Sequence, residues 1–377
     1  MSSNTQPKRV GTIGLSGPGS WASRAHIVPL KASPHYTITA LQNRTKESAN
    51  AAATCFDLGP LNVYDDPKSL AQDPNVDIVA VSVKVPHHYE AVKPAIEAGK
   101  DVFVEWPLAR NLAEAKELAA LAKAKGIRTM VGLQGRKMPA AVRAKALIDA
   151  GKIGTILGTH MYAHGAIWGA ACPENLTYGL PVENGANQVT IAFGHLIDTL
   201  CWVVGEVESF SATLANNRPQ IPIVTENTYE PTGQILPKTA HDYVSITGKL
   251  VCGGVVDATC SGGLSRAGKS LFWEIEGTKG TLILEGGPIG SAVQMFPPTL
   301  RLYVDGDAEG EEIELEKVEG AAKGDYSYAT GKAWAAWAAE DVGEGYPVVT
   351  FEDAVVRHRM IDAVYRSAET GARVTYL

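Results

Sequence analysis

Three stretches of this sequence carry residue types and spacings that could do chemistry. The first is Gly14-x-x-Gly17-x-Gly19 in "IGLSGPGSWASRAH". An apolar segment runs into it and a helical pattern leaves it. Glycines at such a junction let a backbone approach a pyrophosphate, and the start of a helix adds free N–H groups. The spacing, with Pro18 inside, departs from G-x-G-x-x-G, and plain turns use the same residues. The second is "ALQNRTKES", at the end of the next apolar segment. An NAD site puts an acidic residue near there to bond the ribose 2′-OH. Asn43 and Arg44 stand there instead, so an arginine is available for a 2′-phosphate. NADP is therefore expected over NAD, which stays the alternative. The third is Glu105-Trp106-Pro107, at the end of Val102–Val104. Strand tips of this kind hold ligands in open α/β sheets. The residue placed there is an indole, which donates a hydrogen bond and has no proton to exchange near neutral pH.

The elements that must position these residues alternate in the first half. Strands are predicted at Val10–Leu15, Tyr36–Leu41, Ile78–Val83, Val102–Val104 and Thr129–Leu133. Helices are predicted at Ala25–Ala32, Glu47–Ala53, His88–Ala98 and Leu112–Lys125, with Pro139–Ala150 leading out. Repeated strand–helix units imply a parallel sheet covered on both faces. In Leu112–Lys125, Asn111 is the expected N-cap, Glu114 its capping-box partner and Gly126 the stop. In the second half strands follow strands: Thr155–Ala163, Val207–Ala215, Asp242–Thr247, Val251–Cys260, Ser270–Gly277, Thr281–Glu285, Leu300–Val304 and Glu312–Glu316. That implies one large, mostly antiparallel sheet. Helices around Tyr328–Val342 and Phe351–Glu369 close the chain. Asn216–Thr239, polar and proline-rich, reads as a surface loop. Trp334 and Trp337, three apart on a helix, read as core.

The net charge is −7 and there is no long basic run, which argues against direct nucleic-acid binding. No apolar run reaches the roughly 20 residues of a membrane span. The polar start "MSSNTQPKRV" shows no signal-peptide core, so a cytoplasmic protein is expected. The five cysteines match no zinc pattern and read as reduced, buried thiols. No metal site is expected.

Matching pieces run along nearly the whole chain: "VGTIGLSGPG", "VDIVAVSVKVPHHYE", "VFVEWPLA", "KIGTI", "FGHLIDTLCWVVGEV", "EIEGTKGTLILEG" and "FEDAVVRHRMIDAVYRSAETGARV". On these the chain resembles the glucose–fructose oxidoreductase / inositol dehydrogenase / MocA family. "VEWPLA" and "LQGRK", followed later by "FGHLID", are most similar to its fungal galactose-pathway repressor branch. The resemblance implies an N-terminal Rossmann domain, residues 1–137, and an α+β domain, residues 138–377, with a large open sheet. The second would bind a small-molecule substrate and form a homodimer through that sheet. The resemblance places Gly14, Ser16, Gly17, Gly19, Trp21, Asn43, Arg44, Ser82, His88, Glu105, Trp106, Gln134 and Arg136 around the cofactor.

The family's acid–base pattern is altered. Its Glu-Lys-Pro stands here as Glu105-Trp106-Pro107, so the lysine is absent. Its Asp-x-x-x-His stands as Ile191…His195, so the aspartate is absent, while Asp198 keeps the following acidic position. Its TPNxxH stands as Val83-Lys84-Val85-Pro86-His87-His88, with Lys84 at the proline position. His195 is the surviving proton-transfer candidate, Asp198 could orient it, and Lys84 or Lys137 could restore the lost cation. Tyr162 and Tyr178 are further donors that sequence does not place. Two readings remain open. One is an NADP-dependent oxidoreductase with unusual acid–base residues. The other is an inactive dinucleotide-binding regulator, resembling the repressors, that meets a protein partner and could then be nuclear.

Overall fold

The computed structural model describes residues 6–288, 290–307, 309–338 and 348–377. Contacts divide the chain into two compact units: Met1–Gln134 with Glu319–Val355, and Gly135–Val318 with Val356–Leu377.

In the first unit the elements are β1 (Lys8–Ile13), α1 (Trp21–Ala25), α2 (Ile27–Ala32), β2 (Tyr36–Gln42), α3 (Lys46–Cys55), β3 (Asn62–Tyr64), α4 (Pro67–Gln72), β4 (Ile78–Val81), α5 (His88–Glu97), β5 (Asp101–Glu105), α6 (Leu112–Lys125) and β6 (Thr129–Gly132). The strands form one parallel sheet in the order β3-β2-β1-β4-β5-β6. β4 is buried along its whole length, as a strand covered on both faces must be. The order reverses between β1 and β4, the switch point where such sheets take dinucleotides. β3 and α4 escape the sequence reading because neither is long enough to show a period. The single helix expected at Ala25–Ala32 is broken at His26, which ends α1 and begins α2. Asn111 caps α6 through the Glu114 N–H at 3.0 Å, and Gly126 ends it at φ 65°. The Glu114 carboxylate bonds the Arg110 N–H instead of closing a capping box.

Helix Ser327–Ala338 also belongs here, because Trp334 and Trp337 pack with Val10, Leu30 and Phe103. A single cut after residue 137 therefore does not coincide with the contact units. Residues 339–342 of the predicted helix lie outside the described residues.

In the second unit α7 (Pro139–Asp149) leads to β7 (Ile156–His164), β8 (Cys172–Pro173) and, after a turn of π-helix at Gln188–Phe193, α8 (Gly194–Val204). Then come β9 (Val207–Ala215), β10 (Gln220–Val224), β11 (Pro231–Pro237), β12 (Tyr243–Leu250), β13 (Val255–Ser261), β14 (Leu271–Gly277), β15 (Gly280–Gly286), β16 (Thr299–Val304) and β17 (Glu311–Glu312). Eight of these strands form a sheet in the order β17-β16-β15-β14-β7-β13-β12-β9. Only β7 and β13 run parallel in it. β12 shows the period of two: Val244, Ile246 and Leu250 are buried, Tyr243, Thr247 and Lys249 exposed. The last helix, Phe351–Thr370, contributes its residues from Val356 on.

The surface loop expected at Asn216–Thr239 is a correction. It holds β10 and β11, which join β8 in a three-stranded sheet. Ile221 and Ile223 point inward at alternate positions and pack with Trp168, Cys172 and Leu180. Of the prolines that suggested a loop, Pro231 and Pro237 end β11, and Pro222 sits inside β10 beside an irregularity in its pairing with β11. Strand ends and bulges are where a missing N–H is tolerated. Cysteine burial is also corrected in part: Cys172, Cys201 and Cys260 are buried, Cys55 and Cys252 exposed, and all are free thiols.

Candidate functional site

At the switch point the end of β1 touches the end of β4. Ser82 N–H bonds Ile13 O at 2.9 Å. Gly14 sits at φ 97°, and a Cβ there would collide with the Ser82 carbonyl oxygen. Both the left-handed backbone and the close approach demand glycine. Gly14→Ala is expected to cost about 1–3 kcal/mol of stability, read from thermal melts, because strained backbone is costly. Dinucleotide affinity, read by calorimetric titration, should fall with it.

Ser16, Gly17 and Gly19 are exposed. A Cβ at Gly17 would meet nothing within 4 Å. Asn43 is buried and donates to Leu15 O at 2.6 Å, tying the end of β2 to the glycine loop. Arg44 and Lys46 are exposed at the same tip. Trp21 stacks on Tyr326, and its buried indole N–H has no partner among the described residues. The Gln134 side chain is 4% exposed, and neither amide atom has such a partner either. Buried donors and acceptors are ordinarily paired. Two orphaned groups past the C-terminal ends of β1 and β6, with open space over Gly17, fit a polar, elongated ligand such as a dinucleotide.

The other predicted residues of this unit are largely buried. Trp106 is 4% exposed and its bond to Pro107 is cis. His88 is 1% exposed, and its ring nitrogens lie 2.7 Å from Pro107 O and 3.0 Å from Val83 O. Burial pushes its pKa below the ordinary histidine value, against the pull of the two carbonyls. A neutral ring donates to one of them only, so His88 ties one strand end by a hydrogen bond and packs against the other. Glu105 is buried and accepts from His26. Lys84 is exposed and precedes the 3-10 turn Val85–His87.

In the second unit the turn Gly135–Lys137 is docked on α8. A Cβ at Gly135 would collide with Thr199 Oγ1. Arg136 grips Asp198 in a two-pronged pair at 2.7 and 2.9 Å. This docking brings Lys137, Arg136, His195 and Asp198 into one neighbourhood. Lys137 is 8% exposed, and burial, aided by Arg136, pushes its ammonium down to about 8. His195 is buried, and its carbonyl accepts from Thr199 Oγ1 at 2.9 Å. Asp198 is held from a second side: Arg357 reaches it from the last helix at 3.3 Å and also pairs with Glu206 at 2.9 Å. Burial alone would raise the Asp198 carboxyl, yet the two guanidiniums hold it below the usual carboxylate range. Ile191, at the family's aspartate position, packs on the apolar Trp168–Ile221–Ile223 cluster. Of the other donors, Tyr162 is exposed and bonds His164 at 2.8 Å, and Tyr178 is half-buried.

Arg357 and Glu206 were not singled out by sequence. A signal existed: Arg357 falls on the buried stripe Ala354–Arg357–Ile361–Val364 of its helix. Ala166 and Trp168, at φ 65° and 52° beyond β7, carried none. Among the described residues no cluster of metal ligands occurs, and no helix is long and apolar enough to cross a membrane.

Comparison with known proteins agrees with this geometry. Residues 8–133 match the oxidoreductase family with NAD-binding Rossmann fold. Residues 139–286 match the C-terminal domain of Gal80p. Dehydrogenase aclE of Aspergillus oryzae is 35% identical over 375 residues, 98% of each chain. The galactose/lactose metabolism regulatory protein GAL80 of Saccharomyces cerevisiae is 30% identical over 418 residues, 98% of this chain and 94% of its own. The crystal structure of a super-repressor mutant of Gal80p from the same yeast superposes with a TM-score of 0.88 at 28% identity, covering 98% of each chain. With full-length relatives at this identity, a matching fold and the glycine junction at the switch point, the chain belongs to the glucose–fructose oxidoreductase / inositol dehydrogenase / MocA oxidoreductase family, in its Gal80-like branch.

Proposed function

We propose that this protein is an NADP(H)-dependent oxidoreductase acting on a carbonyl, imine or alcohol of a small molecule such as a sugar or secondary metabolite. The observation that carries this reading is the burial of Lys137 on the turn docked against α8, which pushes its ammonium pKa down to about 8. Catalytic groups work best with a pKa near the working pH. The bound cofactor would supply or accept the hydride. The chain's part is to move the matching proton, through His195 and Lys137, with Lys84 as a further candidate. Asp198 serves by fixing Arg136 and the turn that carries Lys137. Residues 1–137 would bind the dinucleotide, through the glycine loop, Ser82, the orphaned Trp21 and Gln134 groups, and the tips carrying Glu105 and Trp106. Residues 138–377 would hold the substrate. The exposed Tyr162, Tyr243, Val255 and Phe272 of the large sheet suit a homodimer contact. A cytoplasmic location accords with this reading.

A second reading is favoured by Ile191 and Trp106. Apolar packing at one lost catalytic position and a buried indole at the other suit a regulator that holds the dinucleotide and meets a protein partner, in cytoplasm or nucleus. Titration with NADPH and NADH, followed by turnover against a panel of carbonyls, imines and sugars, separates the two. Tight binding with no turnover favours the regulator. Arg44→Ala is expected to weaken NADPH about tenfold and leave NADH unchanged, since it removes one charge-assisted bond to the 2′-phosphate. An equal effect on both cofactors would remove Arg44 from that role.

A further inference from the structure

His26 lies between two buried partners in the first unit. The Trp334 indole N–H donates to its Nδ1 at 3.1 Å, and its Nε2 lies 2.5 Å from Glu105 Oε1. An indole only donates, so Nδ1 accepts and the ring's proton sits on Nε2. The ring is therefore neutral, and it donates to the carboxylate. Phe103 holds it edge-on at 4.8 Å, and Trp334 is itself held by Tyr36, whose hydroxyl donates to the Trp334 carbonyl at 2.9 Å. The arrangement shapes the chain on both sides. His26 interrupts the helix that would otherwise run through α1 and α2, and its side chain makes no capping bond there. Gly132, on the neighbouring strand β6, leaves room for the second carboxylate oxygen: a Cβ there would collide with Glu105 Oε2. Oε1 is thus used by the protein. Oε2 is given space and has no hydrogen-bond partner among those described.

We propose that Trp334 and His26 are positioning residues that fix Glu105 so that Oε2 is presented as an acceptor to the nicotinamide-bearing half of a dinucleotide. The inference rests on the dinucleotide reading of the first unit. The half is named by topology. In this strand order one mononucleotide belongs to β1, β2 and β3 and the other to β4, β5 and β6, and Glu105 ends β5. The indole sets the tautomer, the tautomer sets the donor, and the donor leaves the carboxylate one oxygen and one orientation. Ligating histidines in metal sites are oriented by outer partners through the same logic. Here the oriented group is a carboxylate.

The test is calorimetric titration of the full-length wild type, Trp334→Phe, His26→Leu, His26→Gln and Glu105→Gln. The ligands are NADPH and 2′,5′-ADP, which carries the adenosine half alone. NADH and 5′-ADP replace them if NADH is the tighter cofactor. Glu105→Gln leaves the Trp334–His26 pair intact and so separates ligand presentation from folding. Trp334→Phe, His26→Leu and Glu105→Gln are expected to weaken NADPH about tenfold, the scale of one hydrogen bond to a charged group. Binding of 2′,5′-ADP should stay within about twofold, since its partners lie on the other half of the sheet. His26→Gln, which can accept from an indole and donate to a carboxylate, should recover part of the loss. Selective 15N-histidine spectra should show His26 protonated on Nε2 in the wild type and a mixture of tautomers in Trp334→Phe. Equal weakening of both ligands, no weakening of either, or a wild type that prefers 2′,5′-ADP to NADPH overturns the proposal. Turnover is not part of the readout. A protein that binds NADPH this way and turns nothing over would lose the oxidoreductase reading and keep the relay.

Discussion

His195→Ala is expected to lower turnover by about 10²–10⁴-fold, the usual contribution of a positioned acid or base. The dissociation constant for NADPH should stay within about twofold, because the glycine loop and the β2 tip are untouched. His195 is buried on α8, and the turn carrying Lys137 is docked on that helix by the Gly135 approach to Thr199 and by the Arg136–Asp198 pair. A buried ammonium near 8 gives the rate a direction with pH. For carbonyl reduction the donor must be protonated, so kcat/KM should fall as pH rises through about 8. For alcohol oxidation the acceptor must be neutral, so it should rise over the same window. Lys137→Met should remove this inflection, and pH profiles of wild type and variant decide it. If His195→Ala keeps full turnover on a substrate the wild type converts, His195 is not the acid.

The second large effect falls on stability. Arg357→Met is expected to cost about 3–5 kcal/mol, because it leaves the half-buried Glu206 without its cation and the buried Asp198 with Arg136 alone. Arg357 is 1% exposed and reaches Asp198, Glu206 and the Cys201 sulfur. Tyr376, near the end of the chain, adds a hydroxyl to Glu206 at 2.5 Å. The pH dependence has a definite sign. The folded Asp198 and Glu206 carboxyls lie below their ordinary values. They therefore bind protons less readily than in the unfolded chain. Their stabilisation is complete above the unfolded range, about 4, and is lost as pH falls through the depressed folded values. In Arg357→Met burial acts with less opposition, the carboxyls rise, and acid unfolding should begin at higher pH. Urea melts at pH 7 and near pH 4.5 measure both effects. A variant as stable as wild type at both would show that the cluster contributes specificity and no stability.

The fold was legible where patterns were long. The parallel sheet follows from repeated strand–helix units, and the large sheet from alternation such as that of β12. The excursion β10–β11 was not, because Pro222, Pro231 and Pro237 read as breakers while only Ile221 and Ile223 carry the inward period. In the site, the loss of lysine at Trp106 and of aspartate at Ile191 could be read directly. What the remaining residues do could not. Arg136 and Asp198 lie 62 residues apart and spend their charges on each other. His88 is buried between the carbonyls of Val83 and Pro107. Glu105 is governed by a histidine 79 residues earlier. Such pairings depend on which strand ends the topology brings together, and local spacing carries no trace of them.

The return of residues 319–355 to the first unit bears on how the protein is made. The core around Val10, Leu30 and Phe103 is completed by Trp334 and Trp337. A ribosome releases Phe103 long before it reaches those tryptophans. Until they emerge the nascent dinucleotide-binding unit carries an unsealed apolar face, while the whole eight-stranded sheet is made in between. Completion of the first unit waits until Trp334 and Trp337 have emerged, and a chain halted before Trp334 would leave the ribosome with that unit still unfinished.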